Sequence, residues 1–135
     1  MNIYIVGPVT GIENDNREEF ERVKVKLWSI GASVDIPHDY IDERVGWEDA
    51  MLVSVHLLTQ FNAMLHHDPP RYEPHYDGVA MLDGWEESRG ARIEHDLAEA
   101  LGIECKPWRE WLNPAEDGAS IAGGSASQSI FAPAC

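Results

Sequence analysis

Ser88 and Glu94 stand five residues apart in the stretch DGWEESRGARIEHDLAEALGIEC, residues 83–105. On a helical wheel Leu97, Ala98 and Leu101 follow Glu94 at i+3, i+4 and i+7, and Ala91 precedes it on the same face. The spacing therefore predicts a carboxylate at the centre of an apolar stripe, while Glu87, Asp96 and Glu99 take the solvent side. A helix amino terminus entered through a hydroxyl and a glycine is an anion site, because its first N–H groups have no partners within the helix. Ser88, Arg89 and Gly90 suit that role. If the anion is a 5′-phosphate, the carboxylate one turn further in faces the anomeric carbon of the attached sugar. Cleavage of a glycosidic bond passes through an oxocarbenium-like state, which a carboxylate stabilises by charge or captures covalently. The helix amino terminus is expected to help keep Glu94 ionised against the desolvation cost of its apolar setting.

A second turn, GPVTG, supplies Gly7, Pro8, Val9, Thr10 and Gly11 directly after the β-branched run NIYIV. It offers backbone donors but lacks the spacing of the dinucleotide fingerprint. Trp85 stands beside the predicted anion turn. His66, His67, Asp68 and His75 lie in a proline-rich segment without recognised ligand spacing, so no metal and no cofactor are expected.

The elements that must position these residues alternate. NIYIV reads as a buried strand. A helix follows, with Asn14 or Asp15 as cap, Phe20, Val23, Leu27 and Ile30 at helical spacing, and Gly31 as the left-handed stop. ASVDIP is a short strand ending before Pro37, and a second helix, apolar enough for burial on more than one side, runs from about Trp47 to Phe61. HHDPPRYEPHY, with three prolines in eleven residues, reads as a long loop, and residues 62–76 as an inserted one. DGVAML is the third strand, the helix of Glu94 ends at Gly102, IECK is the fourth strand, and Pro107 opens a last short helix. Residues 1–113 form one domain, and residues 114–135, small and polar without period, read as a flexible tail. Alternation of this kind implies a small doubly wound α/β fold of the flavodoxin or Rossmann type, its parallel sheet of four to five strands covered on both faces. In strand order 2-1-3-4 the turns after the first and third strands flank the point where ligands bind.

Composition narrows the partners. Lys and Arg number 10 against 24 Asp and Glu, a formal charge of −14, which repels nucleic acid and anionic membranes. A small anion held by backbone N–H groups remains compatible. No apolar run suits a signal peptide or a bilayer span, so a cytoplasmic protein is expected.

MNIYIVGPVTG, the WEDAM opening of the second helix and DGVAMLDGWEESRGARIEHDLAEALG together resemble a phage and bacterial family of unknown function. Its members read much like IYISGPMTG and LPGWEKSRGARLEH. That family in turn resembles the nucleoside 2-deoxyribosyltransferases and the deoxynucleoside 5′-monophosphate N-glycosidases. The likeness covers most of residues 1–106 and leaves out the 62–76 loop and the tail. It implies that Glu94 is the nucleophile, Ser88 and residues 7–11 hold phosphate, and Tyr4 lies near the sugar. It also implies a homo-oligomer, at least a dimer, completing its sites across subunits. Three residues after Met51 relatives carry an Asp that assists the departing base, where this chain has Ser54. Serine is a poor acid, so Asp68, Asp77 or Asp83 must substitute, with Asp77 the assigned catalytic residue, or activity is weak or absent. The expected function is hydrolysis or transfer of the N-glycosidic bond of a nucleoside 5′-monophosphate. The rivals are a nucleotide-binding module without turnover and a structural phage protein on a borrowed fold. Loop 62–76, carrying His66, Tyr72 and Tyr76, is either a lid over the base or a mobile surface excursion.

Overall fold

A computed structural model of the chain describes residues 1–112. The β-branched run forms β1 (Asn2–Val6), whose alternation sends Ile3 and Ile5 to one face and Tyr4 and Val6 to the other. α1 (Arg17–Trp28) buries Phe20, Val23 and Leu27 on the Ile3 face and is followed by Gly31, whose φ of 95° closes it. β2 (Ser33–Asp35) leads through Pro37 to α2 (Trp47–Leu58), which crosses to the Tyr4 face. An antiparallel pair, β3 (Phe61–Met64) and β4 (Arg71–Pro74), precedes β5 (Gly78–Met81). α3 (Arg89–Ala100), β6 (Glu104–Pro107) and α4 (Trp108–Trp111) complete the chain as described.

The four parallel strands are ordered β2-β1-β5-β6, with Ile3 opposite Val34 on one side and Gly78 on the other. α1 and α4 cover one face of the sheet, and α2 and α3 cover the other. This is the expected doubly wound, Rossmann-like α/β fold. The sheet order reverses between β1 and β5, so the switch point lies at the carboxyl ends of those two strands.

Several local expectations are corrected. Asn14, Asp15 and Asn16 do not cap α1 through their side chains; all three take left-handed backbone, φ 54–60°. Short polar residues tolerate that region best, and two long-range bonds hold it, Asn16 Nδ2 to the Pro8 carbonyl at 2.9 Å and the His38 ring to the Asp15 carbonyl at 2.7 Å. Ile30 lies beyond the helix and is exposed. α2 stops at Leu58, before Phe61, and buries one side only: Ser54, Leu57 and Leu58 are inside, whereas Leu52 is 69% exposed. Leu101 also faces solvent.

The proline-rich stretch is a hairpin and not a loop. Pro69 and Pro70 fall in its turn and Pro74 at the end of β4, positions that tolerate the missing N–H. The expectation for residues 114–135 lies outside the described residues.

Gly78 marks the tightest packing. A Cβ there would run into the Trp111 indole, which lies across β5 and donates its Nε1–H to the Val79 carbonyl at 3.1 Å. Gly78→Ala should therefore cost about 1–3 kcal/mol, read as a fall of at least about 4 °C in thermal midpoint. An unchanged midpoint would mean that the indole moves aside freely.

Candidate active site

Helix α3 begins as its residues demand. Ser88 has extended backbone, its Oγ accepts the Ala91 N–H at 3.2 Å, and its carbonyl accepts the Arg92 N–H at 3.0 Å. Among the described residues the N–H groups of Arg89 and Gly90 have no protein acceptor. Gly90 lets the start of α3 approach α2, since an added Cβ would sit 3.2 Å from the Met51 sulfur. Glu94, one turn on, faces inward as its place in the apolar stripe predicts and is 7% exposed.

In front of it opens a cavity of about 310 Å³ at the carboxyl ends of the strands. The β1 turn contributes Gly7, Val9 and Thr10; α3 contributes Ser88, Gly90 and Glu94; Trp47, Ala50 and Ser54 of α2 form another wall. A more open outer cleft adjoins it through Thr10, Trp47, Ser88 and Gly90, and adds Pro8 and Arg89. The Arg89 guanidinium lies over the Trp47 ring, 4.5 Å from its centroid. Beneath the cavity Tyr4 is fully buried, its hydroxyl 3.3 Å from Ser54 Oγ.

Tyr4, expected near the sugar, lines neither cleft, and three further expected site residues stand elsewhere. Gly11 forms the left-handed corner of its turn, φ 86°, and lines neither cleft. Trp85 packs behind α3, its ring 4.4 Å from that of His95. Asp77 lies at the amino ends of β1 and β5, where its carboxylate accepts the Asn2 N–H at 2.7 Å, so it does not reach the cavity. The hairpin is rooted at that same edge: His75 donates to the Gln60 carbonyl and accepts from the Asn2 amide. α2 runs antiparallel to the strands and delivers the chain there, so no residue of 62–76 lines the cavity. Tyr76 is core, its hydroxyl donating to Asp35 at 2.7 Å. Of the other acid candidates, Asp83 is held by Arg109 at 2.8 Å and lines only the outer cleft.

Asn14, Asp15, Arg17 and His38 line the cavity although their types and spacing do not single them out. The placement of ligands at strand carboxyl ends would have found His38, which follows β2; nothing local predicts the left-handed turn.

The chain matches the family described as Domain of unknown function (DUF4406) over residues 1–67 and 72–106. It belongs to that family. No match was found among curated proteins or among solved structures. The DUF4406 match spans every cavity residue and runs through most of the hairpin, passing over only residues 68–71 at its turn.

In this DUF4406 domain the histidines of residues 66–75 do not gather into a metal-binding group. The one such group among the described residues is His95, Asp96 and Glu99 on the outer side of α3. One ligand atom of each lies within 4.8 Å of the others, with the ring Nδ1 3.0 Å from Asp96 and Nε2 3.5 Å from Glu99. No described helix is long and apolar enough to cross a membrane.

Burial raises the Glu94 carboxyl from 4.5 to about 7, and a hydrogen bond from Ser54 opposes the rise only in part. The helix terminus, expected to help keep Glu94 ionised, does not offset desolvation, and among the described residues no cation bonds to the group. Near neutral pH the carboxyl is divided between a nucleophilic and a proton-donating form. Between pH 4.5 and about 7 the unfolded chain loses this proton while the folded one keeps it, so the folded state loses stability as pH rises. Glu94→Gln lacks the titration. Its stability relative to the parent should therefore grow by about 3 kcal/mol between pH 4.5 and about pH 8, measured by urea unfolding at both. A difference independent of pH would place Glu94 in contact with water.

Proposed function

We propose that this domain hydrolyses the N-glycosidic bond of a nucleoside 5′-monophosphate, with Glu94 as nucleophile. The observation that carries this reading is the pairing, in one cavity, of a buried carboxyl and the amino terminus of its own helix one turn away. The Ser88 hydroxyl, the N–H groups of Arg89 and Gly90 and the Arg89 guanidinium converge on the outer cleft and suit a phosphate. A phosphate there leaves the sugar towards Glu94. The carboxylate attacks C1′, the C–N bond breaks, and the base departs with the bonding electrons and takes a proton from water. Water then cleaves the glycosyl ester, releasing sugar phosphate and restoring the carboxylate. Transfer to another base is the same chemistry with a different acceptor.

A second reading is favoured by one feature: Ser54, not an acid, lines the α2 wall beside Glu94. A site without a proton donor for the base binds a nucleotide better than it cleaves one.

Incubation with a panel of nucleoside monophosphates, scored for free base, separates the two. Base release by the parent and none by Glu94→Gln, with monophosphate binding kept within about tenfold, is the expected result. A parent that binds a nucleotide and frees no base belongs to the second reading. Cleavage by the Gln variant at the parent's rate removes Glu94 as nucleophile.

Ser88 tests the phosphate assignment separately. Ser88→Asp sets like charge against the phosphate and should weaken monophosphate binding by about 2 kcal/mol or more, leaving unphosphorylated nucleoside unaffected. Calorimetry of the matched pair reads this. Equal losses for both ligands would mean that Ser88 only caps the helix.

A further inference from the structure

The hairpin of β3 and β4 is a two-stranded sheet that stands apart from the parallel one. Two strands alone are marginal in water and gain from a further strand or a packed face. The register puts Phe61 opposite Pro74 and Ala63 opposite Tyr72, so these side chains share one face. Phe61 and Tyr72 meet edge to face there, ring centroids 5.9 Å apart, and each is 61% exposed. The opposite face pairs Asn62 with Glu73 and Met64 with Arg71, and Arg71 bonds Glu73 at 3.0 Å. One face is thus apolar and open to solvent, the other largely polar.

The two edges of the hairpin also differ. The His75 N–H donates to the Gln60 carbonyl at 2.9 Å, which turns the backbone of Gln60, Asn62 and Met64 towards β4 and that of Phe61 and Ala63 outward. On β4 the outward positions are Tyr72 and Pro74, and Pro74 has no N–H to offer. β4 is therefore a blunted edge. On β3 the outward N–H and carbonyl groups of Phe61 and Ala63 are intact, and they have no backbone partner among the described residues. Phe61, Asn62 and Ala63 are all exposed, and β3 carries no charge to repel an incoming strand.

We propose that the β3 edge is a self-association surface: β3 of a second copy adds to it antiparallel, and the two hairpins become one continuous sheet. Antiparallel pairing of a strand with its own copy is two-fold symmetric by construction, as a closed dimer requires. With the axis at Asn62, Phe61 faces Ala63 of the second copy and Ala63 faces its Phe61. Each outward N–H then meets an outward carbonyl, and a large side chain meets a small one. The uncharged Asn62 side chains meet across the axis on the polar face, while the apolar faces join across the seam. Charge selects the same place. Residues 61–74 hold one cation, Arg71, against two anions, Asp68 and Glu73, so they contribute −1 of the formal −14 and two copies repel least here. No residue of this seam lines the cavity, in contrast to the sites shared between subunits that the resemblance implies. Nothing in the surface depends on what the cavity binds.

Analytical ultracentrifugation of the full chain across the micromolar range reads the association, and dimers are expected. Ala63→Pro removes an outward N–H but no bond to β4, so it should raise the dimer dissociation constant at least about tenfold while the circular dichroism stays that of the parent. Under mild oxidation Asn62→Cys should give a disulfide joining position 62 of two copies, identified by peptide mapping, because the axis brings those side chains together. A parent that is monomeric throughout the range overturns the proposal, as does a dimer that Ala63→Pro leaves unchanged. If Ala63→Pro does not fold, Asn62→Cys carries the test, and oxidised chains linked only through Cys105 or Cys135, or not linked at all, overturn it.

Discussion

Glu94 must give up its hydration for this chain to fold, and among the described residues no cation bonds it in return. A lone carboxyl under apolar cover costs stability unless hydrogen bonds replace its water. α2 places Ser54 on the same cavity as Glu94, and β1 places the Tyr4 hydroxyl 3.3 Å from the Ser54 Oγ. Gly90 lets the two helices close on each other where they meet the cavity.

Neutral recognition also suits the charge of the whole molecule. At −14 the chain is a poor environment for an anion, and Asp15, Asp42 and Glu43 bring that charge to the cavity wall. Any phosphate bound here must rely on short-range contacts, backbone N–H groups, a hydroxyl and the single arginine over Trp47, because the distant field opposes it. Such an arrangement discriminates by geometry. An anion displaced from the start of α3 meets acids instead of donors.

The two edges of the sheet carry separate features. At the carboxyl edge lie the cavity, the left-handed turn of Asn14, Asp15 and Asn16, and the starts of α2 and α3. At the amino edge lie Asp77, the amino end of β1 and the hairpin of β3 and β4, with Phe61 and Tyr72 each 61% exposed. Because α2 runs the depth of the sheet between them, residues close to the third strand in sequence are far from the cavity. Tyr76 ties the hairpin root to β2 through Asp35 and to Tyr4 by ring contact, centroids 5.3 Å apart.

Local periodicity was enough for the four strands of the parallel sheet, the three main helices, the left-handed stop at Gly31 and the inward direction of Glu94, since each depends on side chains within a few residues. Alternation of those elements was enough for the sheet order and for the edge at which a cavity opens. The hairpin was hidden because its prolines occupy a turn and a strand end, positions that proline content alone does not reveal. Asp77 and Trp85 were misplaced for a related reason: proximity in sequence to the third strand says nothing about which edge or which side of α3 a side chain meets. Ser54 shows the limit most plainly. Its sequence position marks it as a poor acid, but only the crossing of α2 over β1 brings its hydroxyl to Tyr4, on the wall of the cavity that Glu94 lines. Burial of a charge is a property of everything packed around it, so the ionisation of Glu94 was decided by the tertiary structure and not by the helix that carries it.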